Sequence, residues 1–195
     1  DQILAEIQPA LSRALDYGVF HGIDPLSGDV AAAMTTTLSD TTNSVEVASQ
    51  EPYALIDSAD ALVLADSYVP TGVALDPAFA STFVTARTSE GVKLYPGFVP
   101  PPAVTALEGH RASTSRTVGA VGTATVDTDV KAFVGDFSAI RWGIQRDIGL
   151  ELIEYGDPDG GGDLKRNNQV AFRAEVVYGW GIADLNAFAK IIDAV

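Results

Sequence analysis

Apolar residues return at steps of three and four from the start of the chain. Ile3, Ile7, Leu11, Ala14 and Leu15 form one stripe, which predicts an amphipathic helix running to about Tyr17. Gly18 reads as its stop, and Pro9 predicts a kink or a restart, because proline lacks the backbone donor and crowds the preceding turn. From His21 to Glu51 the chain is rich in Gly, Asp, Ser and Thr. This reads as a loop with turns at Asp24-Pro25 and Ser27-Gly28-Asp29, followed by a short strand around Ser44 to Val47. The helical period returns from about Glu51 to Asp66, where Leu55, Ile56, Ala59, Leu62 and Val63 share one side and Pro52 sits in the first turn. Val69-Pro70-Thr71-Gly72 then turns the chain into a short apolar strand, Val73-Ala74-Leu75. Asp76-Pro77 starts a third helix to about Arg87, with an Asp oxygen to accept an orphan N–H and proline at the first helical position.

Past Ser89-Glu90-Gly91 the pattern changes. The run YPGFVPPP, starting at Tyr95, is an extended or polyproline connector. Short alternating runs at Arg111 to Thr117, Thr123 to Val126 and Val130 to Val134 read as strands. Two longer runs, Gly149 to Tyr155 and Gln169 to Trp180, complete the sheet around a turn at Asp157-Pro158-Asp159-Gly160. In the second of them Val170, Phe172, Ala174 and Val176 alternate with Ala171, Arg173, Glu175 and Val177, the period of two of a half-buried strand. Helices and strands mix without regular alternation, so the fold class is α+β and not a doubly wound parallel sheet.

Charge narrows the function. The 195 residues are enough for a sizeable core, and there is no cysteine to staple it. With 26 acidic and 12 basic side chains the net charge is −14, and no basic stripe interleaves with aromatics, which argues against sequence-specific nucleic-acid binding. Apolar runs stop well short of the roughly 18 to 20 residues needed to span a bilayer, so no membrane partner is expected. The chain opens without methionine inside a helix, which reads as a fragment or a processed product.

The catalytic inventory is thin. His21 and His110 stand far apart without a second nitrogen ligand nearby, and they read as ordinary surface or cap histidines; no metal and no other cofactor is expected. There is no G-x-S-x-G, and Ser138 in Gly135-Asp136-Phe137-Ser138 reads as a turn residue. The run from Gly160 to Lys165 lacks the phosphate-loop spacing and lies between strands, and Gly119 to Gly122 is a similarly weak candidate. The chain therefore reads as a non-enzyme. A small hydrolase or carbohydrate-binding module is the alternative of another class; it would need a deep pocket with converging polar groups and a perturbed carboxylate or histidine. The last third instead carries an acidic, glycine-rich loop that turns basic along its length, a pattern suited to meeting a neighbouring subunit.

Several runs together resemble a known family. They are the GDFS run at Gly135, the two strands around the acidic loop, the RNNQVAFRAE run from Arg166 to Glu175, and the closing Asp184-x-x-Ala187-Phe188. The stretches ALDYGVFHGIDPLSG from Ala14 and VALDPAFASTFVTARTSEGVKLYPG from Val73 agree with them in order. The chain resembles, over nearly its whole length, the C-terminal part of major capsid proteins of tailed phages, with the Hong Kong 97-like fold. The resemblance implies a peripheral-domain helix end at residues 1–18, an axial domain at 19–134, a peripheral-domain sheet and loop at 135–180, and a return to the axial domain at 181–195. It also implies that the family's N-terminal arm, extended loop and most of its spine helix have no counterpart here.

The implied function is that of a structural shell subunit. Copies would associate into hexamers and pentamers of a phage or prophage capsid that encloses double-stranded DNA without sequence-specific contacts. The product would reside in the virion capsid after synthesis in the bacterial cytoplasm. An encapsulin-type compartment shell keeps the fold and changes the contents. The loop between Tyr155 and Asn168 would meet symmetry mates through Asp157, Asp159, Asp163, Lys165 and Arg166, where opposite charges fix register more than they add affinity. Some family members join subunits by a lysine–asparagine isopeptide bond, with a glutamate seven residues after the asparagine as base. Asn168 and Glu175 have that spacing, 175 − 168 = 7. A glutamate in apolar surroundings could take the ammonium proton, but an odd spacing puts the two on opposite faces of an unbulged strand, so Asn168 would have to lie in a loop.

Overall fold

The computed structural model describes residues 2–48, 51–98, 105–120 and 128–193. The chain divides into two compact units, one of Asp1–Ser12 with Trp142–Trp180 and one of Arg13–Arg141 with Gly181–Val195. The sequence reading places its boundaries at 18/19, 134/135 and 180/181. Helix α1, Gln2–His21, contributes to both units and runs on through Pro9 and Gly18. The expected stop at Gly18 is thus corrected. The helix ends where Gly22 takes φ +66°, with its N–H donating to the carbonyls of Tyr17 and Gly18, both at 3.0 Å. A left-handed residue ends the helical path at little cost when it has no Cβ, and a Cβ here would meet Thr37 Cγ2 at 2.7 Å.

The larger unit is built on a mixed sheet. Its strands are β1 (Ser44–Glu46), β2 (Gly72–Leu75), β3 (Thr105–Leu107), β4 (His110–Thr114), β5 (Val130–Gly135) and, after β6 (Ile140–Ile153) and β7 (Ala171–Ile182) of the other sheet, β8 (Phe188–Ile192). The spatial order is β1-β8-β5-β2-β4-β3. β1 runs parallel to β8 and β2 to β4, while the remaining pairs are antiparallel, with a bulge in β5 between Val130 and Ala132.

Register decides which side chains share a face. Val73 pairs with Val134 and Ala112, and Leu75 with Ala132, which in turn pairs with Ile191. These residues face α2 (Pro52–Ala65) and α3 (Pro77–Thr85), whose Leu55, Ile56, Ala59, Val63, Phe79, Ala80 and Phe83 complete the main core. Each fully buried aliphatic or aromatic side chain here is worth about 2 kcal/mol relative to exposure. Asp76 caps α3 as expected, its Oδ1 accepting from the Ala78 N–H at 2.8 Å.

The opposite face carries two rows, Ser113-Ala74-Phe133-Lys190 and Arg111-Gly72-Gly135-Phe188. The end of α1 packs on it, with Phe20 stacked on Phe133 at 5.3 Å between ring centroids, and Phe137 set edge-on to Phe188 at 5.6 Å.

β6 and β7 do not complete this sheet. They pair with each other as a separate two-stranded sheet, and β6 starts at Ile140 where the sequence reading begins at Gly149. β3 and β8 also lie outside the expected strands. The expected strand at Thr123 to Val126 falls outside the described residues, as does Gly122.

Candidate functional site

The smaller unit leaves many of its described apolar side chains exposed. Among its described residues Leu164 is buried, whereas Trp142 is 61% exposed, Tyr155 74% and Val170 57%. Two strands give little shared apolar area, so a ribbon of this kind is marginal without a further layer. The expected alternation in β7 is present in the sequence, but its burial runs mixed from Ala171 to Ile182 and neither face is wholly covered.

The loop between the strands is organised by its own acids. Asp157 Oδ1 accepts from the Gly162 N–H at 3.0 Å, Asp159 Oδ1 from the Gly161 N–H at 3.0 Å, and Asp163 Oδ1 from the Arg166 N–H at 2.8 Å. Leu164, 5% exposed, pins the base, its N–H donating to the Gly156 carbonyl and its carbonyl accepting from Gln169 N–H, both at 2.9 Å. Lys165 and Arg166 are exposed, and no ion pair among the described residues uses either. The five charges are therefore carried on one fixed loop, with the cations unspent.

Asn168 and Glu175 sit in different settings. Asn168 is exposed in a turn at φ +55°, outside β7. Glu175 is in β7, where its carboxylate is paired with the Arg173 guanidinium two residues away on the same face.

The two histidines, expected as surface or cap residues, are both half-buried, and His21 is the last residue of α1. His21 Nε2 lies 2.7 Å from the Val118 carbonyl oxygen and Nδ1 lies 2.8 Å from Ser39 Oγ. His110 Nε2 lies 2.7 Å from Asp60 Oδ2. Sequence alone held no signal for either pairing, since the partners are 50 and 97 residues away. Among the described residues no group of three or more His, Cys, Asp and Glu is placed to hold a metal ion.

A cavity of about 450 Å³ opens on the second sheet face, lined by Asp16, Phe20, Gly72, Arg111, Ser113 and Phe137 among others. Burial pushes the Asp16 carboxyl above its ordinary value, against the pull of a 3.3 Å hydrogen bond from Thr117 Oγ1. Thr117 Oγ1 in turn lies 2.6 Å from Ser115 Oγ. This chain of hydroxyls ends on a carboxyl, and the nearby His21 ring has both nitrogens engaged elsewhere, so the set lacks the base that activates a serine.

A family model described as the phage capsid family matches residues 2–192. The chain belongs to the phage capsid family. A solved chain from Mycobacterium phage Ogopogo is 44% identical with a TM-score of 0.90, over 99% of this chain and 67% of that one. One from Gordonia phage Cozz is 33% identical with a TM-score of 0.80, over 99% of this chain and 62% of that one. A structure titled as the capsid of an empty GTA particle, computed with C5 symmetry, is 16% identical with a TM-score of 0.60, over 100% of this chain and 66% of that one; it supports the fold alone. No curated protein matches the chain. The fold is α+β and Hong Kong 97-like, and this capsid-family chain spans about two thirds or less of the relatives it matches.

Proposed function

We propose that this chain is the shell-forming part of a phage or prophage major capsid protein, a structural and non-catalytic subunit that associates with copies of itself in the virion. The observation that carries the reading is the family match over residues 2–192. The uncovered apolar residues of the smaller unit support it, because a shell subunit completes such a face with its neighbours.

In this reading the larger unit is the axial domain, which surrounds the capsomer axis in rings of five or six, and the smaller unit is the peripheral domain. The loop bearing Asp157, Asp159, Asp163, Lys165 and Arg166 meets its symmetry mates there. Asn168 remains a cross-link candidate by its turn position, with Glu175 as its base once released from Arg173. The shell encloses double-stranded DNA without sequence-specific contacts, which suits a wall of net charge −14. Synthesis takes place in the bacterial cytoplasm. The compartment and hydrolase alternatives find no support in the capsid matches.

Electron microscopy of the full-length product tests the proposal. Discrete closed particles are expected, and a monodisperse monomer at high concentration would overturn it.

A further inference from the structure

Helix α2 has two apolar faces, and the sheet covers one. Leu55, Ile56, Ala59 and Val63 are buried in the main core, while Tyr53, Asp57, Ala61 and Leu64 recur at steps of four, four and three on the opposite side and are exposed. Tyr53 is 45% and Leu64 55% exposed. The stripe holds one charge, Asp57, and α2 has no basic residue to offset it; its other acid, Asp60, is spent on His110. Among the described residues no hydrogen bond or ion pair uses the side chain of Tyr53 or Asp57. The surroundings of Tyr53 are negative. Burial first, and then Glu108, Tyr53, Asp57 and Glu51, push the nearby Tyr95 phenol up to about 12.

A complementary surface lies along α3. A groove of about 380 Å³ is lined by Pro77, Ala80, Val84, Thr85, Thr114 and Arg116 among others. Its hydroxyls ask little of an occupant: Ser81 Oγ donates to the Ala78 carbonyl at 2.7 Å, Thr85 Oγ1 to the Ser81 carbonyl at 2.9 Å, and Ser115 Oγ lies 2.6 Å from Thr117 Oγ1. No acid lines the groove, and α3 carries no charge. Arg116 is exposed, and no hydrogen bond or ion pair among the described residues uses its side chain. The groove therefore suits an apolar helix face that brings one carboxylate.

The two surfaces cannot meet within one copy. β2 runs parallel to β4 and β1 to β8, and β5 is antiparallel to both β2 and β8, so these four strands all point the same way. Helix α2 is tied where they start: Asp60 to His110 of β4, Asp66 to Asn43 ahead of β1 at 2.9 Å, and Tyr68, just past the helix, to Asp184 ahead of β8. The groove lies where they finish, since Thr114 ends β4 and Pro77 opens α3 just after β2. Opposite edges of one sheet thus carry an unpartnered acidic stripe and an unpartnered basic groove.

We infer that copies of this chain join head to tail, the outer stripe of α2 from one copy seated in the α3 groove of the next, with Asp57 against Arg116 and Tyr53 as the aromatic anchor. The inference rests on the self-association proposed above and names the surfaces that carry it. Two different patches make the contact heterologous, so each copy keeps one of each free for a further neighbour, and the series closes when the rotation per copy divides a full turn. The apolar stripe supplies the buried area, and the single charge pair fixes register and direction.

Charge exchange in the full-length product tests the contact. Arg116→Glu alone and Asp57→Arg alone should each cut the yield of closed particles by about tenfold, because like charges then face each other, and the two together should restore it. A parental yield from Arg116→Glu, or a double variant no better than the singles, would overturn the inference and leave the shell reading standing. A parent that stays monomeric would overturn that reading and the inference with it. Should the reversals unfold the chain, cysteine trapping decides, since the 195 residues contain no cysteine. Assembled particles carrying Ala61→Cys with Ser81→Cys, oxidised by oxygen with a copper catalyst, should give a ladder on denaturing gels that runs past the dimer, and neither single variant should. No ladder, or one that stops at the dimer as a symmetric contact requires, rejects the head-to-tail join.

Discussion

His110 Nε2 lies 2.7 Å from Asp60 Oδ2, tying the start of β4 to the middle of α2. Both side chains are largely buried, at 17% and 18% exposure, and Asp60 Oδ1 has no hydrogen-bond partner. Removing the imidazole alone leaves a buried carboxylate unpaired. His110→Ala should cost about 3 kcal/mol in chemical denaturation, and Asp60→Leu with His110→Leu should recover most of it, because desolvation of the pair offsets much of its attraction. A single variant as stable as the parent would show that the pair contributes nothing.

Gly135 leaves no room for a side chain. A Cβ there would lie 2.4 Å from the Ala187 carbonyl oxygen, in the turn before β8, and 2.6 Å from Phe188 Cδ1, at the start of β8. Gly135→Ala should destabilise the fold by about 3 kcal/mol through overpacking. Gly143→Ala and Gly179→Ala, where a Cβ meets nothing within 4 Å, should stay near neutral in the same thermal melts.

The Tyr68 hydroxyl donates to Asp184 Oδ2 at 2.7 Å. That bond, ahead of the Asn186 N–H, holds the Asp184 carboxyl below its ordinary value of 3.8. The folded carboxylate binds a proton less readily than the unfolded one, so its contribution is present above 3.8 and lost as pH falls through the lowered value. The same bond raises the Tyr68 phenol above 10.0, a contribution present below that value and lost as pH rises through the raised one. Tyr68→Phe should flatten both the acid and the alkaline limb of the melting profile. Identical limbs in parent and variant would count against the bond.

Lys165 and Arg166 are exposed and outside every ion pair of the described residues. Reversing both to Glu should leave the stability of the chain within about 0.5 kcal/mol, as for other surface changes. In the full-length product the same change should reduce sedimentable particles, most at low salt where screening is weakest. Particle yield equal to the parent's would remove the loop from the contact.

Helices with a strong local signature were legible. Asp76-Pro77 announces a cap and a first turn, and the structure has both. Local signals failed where a distant partner decides. Phe188–Ile192 is only five residues and becomes a central strand because β5 and β1 flank it. Gly18 is a plausible stop by composition, yet the helix continues to a better cap at Gly22, where the chain must also pass close to Thr37. The first half of β6 alternates Ile140, Trp142 and Ile144 with Arg141, Gly143 and Gln145, a usable signal that the reading from Gly149 left out.

The acids, glycines and cations of the Asp157 to Arg166 loop were visible as a charge pattern, since that pattern is local and needs no fold to be read. Their fixed arrangement was not, because it depends on which carboxylate oxygen each backbone N–H reaches. Sequence by itself determined the α+β class, the core helices α2 and α3 and the acidic balance, which rest on spacing and composition, while the resemblance to the capsid family rests on particular runs such as GDFS and RNNQVAFRAE. Tertiary structure alone decided the strand order, the second sheet and the hydrogen-bond partners of His21 and His110. Those follow from contacts between residues far apart in the chain, whose closure is set by register and packing and leaves no mark on neighbouring positions.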